Sequence, residues 1–192
     1  MKRLLTLMLV ILLFLTACQK EEQTAAELYL STHSEQEIVD YFSEVSLFYY
    51  DFNNPKEIPE KNLYTFALFH EKENWFNETE GLFYIPLTDI YDILDDYLID
   101  YNLPVEWFEN TFTNHYNVTN QQLIEGAIGM GTGCTAFNFI SALSIDDDNI
   151  KVTLLEYCED PEMQDAGSNI YITAQIIGGQ AKFTSCQTIK ND

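Results

Sequence analysis

The groups through which this chain could act chemically are four cysteines, three histidines and a large excess of carboxylates. Cys134 directly follows the glycine-spaced run Gly129, Gly131, Gly133. A phosphate-binding loop would open a helix and carry a lysine after its glycines. Here a segment of strand periodicity follows and no lysine is near, so the run reads as a bend or bulge. As a nucleophile Cys134 would need a base fixed beside it, and nothing in the spacing selects among His33, His70 and His115. His70 closes an apolar helical stripe and reads as a histidine at the edge of a core. The sequence holds no Gly-x-Ser-x-Gly, His-Glu-x-x-His or Cys-x-x-Cys. It therefore lacks the minimal residues of nucleophile-elbow hydrolases, zincins and thioredoxin-like enzymes, and no cofactor or metal centre is expected.

The carboxylates form two clusters. Asp92, Asp96 and Asp100 fall four residues apart on a helix-patterned segment, a like-charge stripe that opposes helix formation and makes them candidate cation ligands. A solvated helix face is the competing reading. Asp146, Asp147 and Asp148 begin like a calcium loop, but Lys151 and Tyr157 stand where that loop needs its glycine and its closing glutamate, so they read as a polar turn. Trp75, Trp107, His115 and Tyr116 lie outside the strongly periodic segments and are candidates to line a pocket for sugar or peptide stacking, with core packing as the alternative.

The N-terminus fixes the setting in which such groups would work. Lys2 and Arg3 precede an uncharged apolar run from Leu4 to Leu15, too short to span a bilayer and characteristic of an export signal. The tetrapeptide Leu15-Thr16-Ala17-Cys18 that closes it resembles the lipobox of bacterial lipoprotein precursors. That resemblance implies cleavage before Cys18, lipidation of its sulfur and attachment to the extracytoplasmic face of the cell membrane. Two or three acyl chains hold stably where one holds marginally. Residues 1–17 are then a signal peptide, 18–34 a lipidated N-terminus and tether, and 35–192 one domain. Gln19 to Ala26 contains no aromatic or branched apolar residue and reads as tether.

Removing the signal takes away Lys2 and Arg3 and leaves seven lysines against 31 acidic residues, a formal charge of −24. Such a body repels nucleic acids and anionic lipids, so its membrane contact is expected through the lipid alone, and a cationic partner fits better than an anionic one. With 13 Phe and 12 Tyr it has ample material for a core and is no disordered acidic tail.

Periodicity changes once along the body. Ser34 and Glu37 form a capping box, and Ile38, Phe42, Val45, Tyr49 and Phe52 follow at helical spacing, predicting a helix over 35–51. Pro59 opens a second helix carrying Leu63, Phe66, Ala67 and His70, to about Lys72. Leu82 to Ile85, ended by Pro86, reads as an edge strand. Thr88 is expected to cap a third helix with the stripe Ile90, Leu94, Tyr97, Leu98 and Tyr101. The stretch after Pro104 lacks a period, which inside a compact domain often marks function. Beyond it the period is two, predicting strands at 122–128, 135–145, 150–158, 169–177 and 180–189, with Gly178-Gly179 as a two-residue hairpin turn.

The expectation is an α+β fold: three N-terminal helices packed on a curved antiparallel sheet of four to six strands. The element order resembles the cone-like nuclear transport factor 2-like fold, which implies a pocket at the wide end of the cone. The expected function is a lipid-anchored extracytoplasmic binding or interaction domain for a small-molecule, peptide or cationic ligand. A pocket enzyme using carboxylate, Tyr and His for proton transfer, and a structural component of an envelope assembly, are the alternatives. Extrapolating the hairpin registers, with Ile145 facing Ile150, sets Phe137 opposite Cys158 and Cys186 opposite Tyr171. All three thiols beyond Cys18 would then gather at one end of the sheet. Cys134 with Cys158 is the first choice for a disulfide, and three separately buried thiols are the alternative.

Overall fold

The computed structural model describes residues 23–71, 75–125, 135–158 and 167–191. The N-terminal half is helical, and two consecutive capping boxes set its start. Thr24 and Glu27 exchange side-chain and backbone bonds at the head of α1 (Ala25–Thr32), and Ser34 and Glu37 do the same at the head of α2 (Glu35–Ser43). The first of these falls inside the expected tether. Ala26 and Tyr29 of α1 are buried, and the Ala26 amide donates to the Asp147 carbonyl at 3.0 Å, so the folded domain begins near Thr24 rather than at residue 35.

The helix expected over 35–51 is shorter. It tightens into a 3-10 turn (Glu44–Phe48) and stops at Tyr49, whose φ of 50° is left-handed. Phe52 then pairs by two backbone hydrogen bonds, 2.9 and 2.8 Å, with Cys186. A 3-10 turn (Pro55–Glu57) leads into α3 (Glu60–Glu71), where Leu63, Phe66 and Ala67 are buried as their spacing requires and Phe66 stacks on Phe48 at 3.9 Å.

A small antiparallel sheet, order β1-β2-β4-β3, comprises β1 (Phe76–Asn77), β2 (Leu82–Pro86), β3 (Tyr116–Asn117) and β4 (Gln122–Glu125). β2 is interior to this sheet, not an edge strand, because Pro86 sits at its last position, where a missing N–H is tolerated. α4 (Leu87–Tyr97) follows directly with Pro86 as its N-cap, so Thr88 lies inside the helix rather than capping it. The aperiodic stretch after Pro104 contains a further short helix, α5 (Val105–Thr111).

The C-terminal half is an antiparallel meander of β5 (Thr135–Ser144), β6 (Asn149–Cys158), β7 (Ser168–Ile177) and β8 (Gln180–Lys190). One face is apolar, with Ile150, Val152, Leu154, Ile170, Ile172, Ala174 and Phe183 buried in a single core with Phe42, Phe48 and Leu94 of the helical half. The other face is polar, and there Lys151 Nζ sits 5.1 Å from the Tyr171 ring centroid. The α+β class stands, but the strands divide between two sheets where one was expected.

Register differs from the sequence expectation for identifiable reasons. Ser144, not Ile145, pairs with Ile150, because residues 145–148 form the turn. Asp146 Oδ1 accepts from the amides of Asp148 and Asn149, at 3.0 and 2.9 Å, and from the Asn149 side chain. The Asn149 side-chain bond, then the Asp148 amide, hold this carboxyl below its ordinary range, so the aspartate run is the polar turn its sequence suggested. Bulges at Ile140 and Thr184 shift the pairing again, setting Thr135 opposite Cys158 and Cys186 opposite Ile172. Ile172 pairs in turn with Val152, six residues from Cys158 and about 20 Å away along the strands. Cys158 and Cys186 therefore do not share one end of the sheet.

Candidate functional site

The aromatic candidates are dispersed. Trp75 is 5% exposed and its Nε1 donates to Asp89 Oδ2 at 3.0 Å, a satisfied core tryptophan. Trp107 is half-buried against Tyr64, Phe108 and Phe112. His115 is exposed with Nδ1 3.0 Å from the Ile124 carbonyl, and its neighbour Tyr116 is half-buried in β3. None of the four lines the clefts walled by Tyr41, Cys186 or Cys158.

The acidic stripe is broken as well. Asp92 and Asp96 are exposed on α4, but the helix ends at Tyr97. Asp100 lies beyond it at φ 59° and forms an ion pair with Lys56 at 2.5 Å. Among the described residues no group of three or more His, Cys, Asp or Glu is placed to hold a metal ion. The expected cation site at Asp92, Asp96 and Asp100 is thus not assembled. Cys18 and Cys134 lie outside the described residues; Cys158 is disulfide-bonded, and Cys186 is a free buried thiol.

Asp96 and His33 line a common cleft. A cavity of about 420 Å³ opens between α1, α2, α4 and the start of β8, walled by Tyr29, His33, Glu37, Tyr41, Asp96 and Tyr97. Helical spacing places the first four: Tyr29 and His33 are one turn apart on and just past α1, Glu37 and Tyr41 one turn apart on α2. The rings form two stacked pairs, Tyr29 with His33 at 4.0 Å and Tyr41 with Tyr97 at 5.2 Å. Tyr41 is fixed by donating to the Ala181 carbonyl at 2.5 Å, and His33 Nδ1 lies 2.8 Å from the Tyr29 carbonyl. Gly179 also lines the cleft, from the hairpin turn Gly178-Gly179, whose φ values of 60° and 89° a primed two-residue turn requires.

The tyrosines and Glu37 hold fixed charge states at neutral pH. Burial pushes the Tyr29 and Tyr97 hydroxyls up to about 12, and pushes Tyr41 further still, so all three rings stay neutral. The Ser34 amide and then its hydroxyl hold Glu37 below the usual carboxylate range, so it stays ionised. These four groups do not exchange protons near neutral pH. Among the described residues no Lys or Arg lines the cleft. What the arrangement offers is neutral aromatic faces beside two carboxylates, a setting for an organic cation.

Behind the Tyr97 wall, His70 packs at 4.8 Å from that ring with Nε2 3.4 Å from Glu44 Oε2. Burial first and Asp40 second raise the Glu44 carboxyl. The folded-state value lies above the unfolded one. Its contribution to stability is therefore present below pH 4.5 and lost as pH rises through the raised value. Glu44→Gln keeps a hydrogen-bonding group near His70 and removes the buried charge. It should melt higher than wild type at pH 7 and no higher at pH 4; lower melting at pH 7 would show that the contact with His70 outweighs burial.

Sequence reasoning did not bring Tyr29, His33, Tyr41 and Tyr97 to one site. The available signal was Thr24-x-x-Glu27, which marks α1 as firmly as Ser34-x-x-Glu37 marks α2. No protein-family model, no curated protein and no solved structure matches this chain.

Proposed function

We propose that the chain is a lipoprotein, anchored through Cys18 on the extracytoplasmic face of a bacterial membrane, whose domain binds a small organic cation in the cleft between α1, α2 and α4. The observation that carries the ligand class is the convergence of three neutral tyrosines, His33 and two carboxylates on one cavity that no lysine or arginine lines among the described residues. The anchor rests on the lipobox sequence. No helix among the described residues is long and apolar enough to cross a membrane. Because the domain begins near Thr24, five residues separate it from Cys18, a reach of at most about 20 Å, so the cleft works close to the membrane surface. The bulges that bend the main sheet support a cone-like, nuclear transport factor 2-like arrangement, while the division into two sheets departs from it.

The test is calorimetric titration of the full chain with choline and with its neutral tert-butyl analogue. Saturable binding of choline, with the analogue much weaker, is expected. Asp96→Asn should weaken choline about fivefold, the effect of one partly screened charge, with little change in melting temperature because Asp96 is exposed. Equal affinity for the two probes would show that charge plays no part, and an unaltered Asp96→Asn would place the ligand elsewhere.

A further inference from the structure

A second cleft, of about 480 Å³, lies farther along β8, past the bulge at Thr184. Its floor is apolar: Val45, Ile170 and Cys186 are exposed by 1, 2 and 3%. Its lip is aromatic, with Tyr49 and Tyr50 exposed by 65 and 42%. Asp51 and Glu156 complete the wall. Asp51 is held in place by Thr188, which donates its amide to Oδ2 at 3.1 Å and its hydroxyl to Oδ1 at 2.9 Å.

Tyr49 is the informative residue. It ends the 3-10 turn with φ 50° and ψ 33°, a conformation that glycine adopts freely at helix ends and that a bulky side chain resists. Burial does not explain the choice, because the ring is mostly exposed and its nearest aromatic neighbour, Phe69, stands 6.2 Å away at a tilt. Strain retained at an exposed aromatic residue on the rim of a cavity points to a role for the ring itself.

We propose that this cleft is a second binding site, for an ammonium ion carrying an apolar group. The apolar part fills the floor, the ammonium stays at the rim between Asp51 and Glu156, and the Tyr49 and Tyr50 faces cover it. Burial, then Asp51, then Glu156 raise the Cys186 thiol to about 12, so the field of both carboxylates reaches the floor and the sulfur packs there as neutral apolar surface. The site is separate from the choline cleft, and the result of either titration leaves the other open.

The probe is phenethylammonium, with phenethyl alcohol as its neutral counterpart, titrated into the full chain while amide shifts are followed. Phenethylammonium should bind saturably and shift Tyr49–Asp51 and Cys186–Thr188, with phenethyl alcohol at least about tenfold weaker. Tyr49→Gly should raise the melting temperature by relieving strain and weaken binding about fivefold. Tyr50→Ala, at an unstrained position, should weaken binding without the gain in stability. Equal affinity for the two probes, shifts confined to other residues, a Tyr49→Gly protein that melts lower, or either variant binding like wild type would each overturn the proposal.

Discussion

Cys18→Ala should abolish lipid incorporation and lipoprotein-type processing altogether, an all-or-none effect. The reason is chemical first: the proposed modification forms a thioether on this sulfur, and alanine offers no nucleophile to make it. The physical consequence follows from the rest of the chain. Each buried methylene of an acyl chain contributes about 0.8 kcal/mol, so two or three chains hold the protein stably at the membrane where one would hold it marginally. A formal charge of −24 after cleavage gives no electrostatic attachment to an anionic leaflet that could substitute. The apolar run Leu4–Leu15 is too short to serve as a stable span. Metabolic labelling with radioactive palmitate and intact-mass measurement in a bacterial host are the readouts. An unmodified Cys18 at the mature N-terminus of the wild-type protein would refute the assignment.

The parts of this fold that could be read from sequence are those in which a local pattern carries its own physics. The alternation in β6, β7 and β8 was legible because one face of the meander is buried and the other wet. Ser34 and Glu37 announced α2 because a capping box is a local exchange of hydrogen bonds. Register was not legible. The bulges fall at Ile140 and Thr184, residue types that give no bulge signal, and each displaces every pair beyond it. The candidate site was illegible for a related reason. Tyr29, Tyr41 and Tyr97 belong to three different helices, and only tertiary packing brings them together. Trp75 drew notice by lying outside any period, yet its indole N–H is satisfied by Asp89 within the core. An aromatic residue between periodic segments is as well suited to closing a core as to opening a pocket.

Reducing the disulfide at Cys158 should lower the melting temperature by about 6–12 °C, the second large effect expected. Cys158 is disulfide-bonded while Cys186 is free, which leaves Cys18 and Cys134 as partners within the chain. A sulfur converted to a thioether cannot enter a disulfide, so the lipid assignment at Cys18 points to Cys134. The observed register agrees: Thr135 faces Cys158, and Cys134 is the next residue. Such a bridge closes a loop of about 25 residues and contributes roughly 3 kcal/mol, in the chain-entropy account, by restricting the unfolded chain. For a domain of 150–250 residues each kcal/mol is worth about 2–4 °C. Peptide mapping without reductant should yield one fragment joining Cys134 to Cys158, with Cys186 alkylated only after unfolding because its thiol is buried. Cys158→Ala should melt where the reduced wild type melts and should not respond to reductant. A linked fragment joining Cys158 to Cys186, or identical melting with and without reductant, would break the argument. A fragment joining Cys158 to Cys18 would break the lipid assignment with it, because one sulfur cannot carry both bonds.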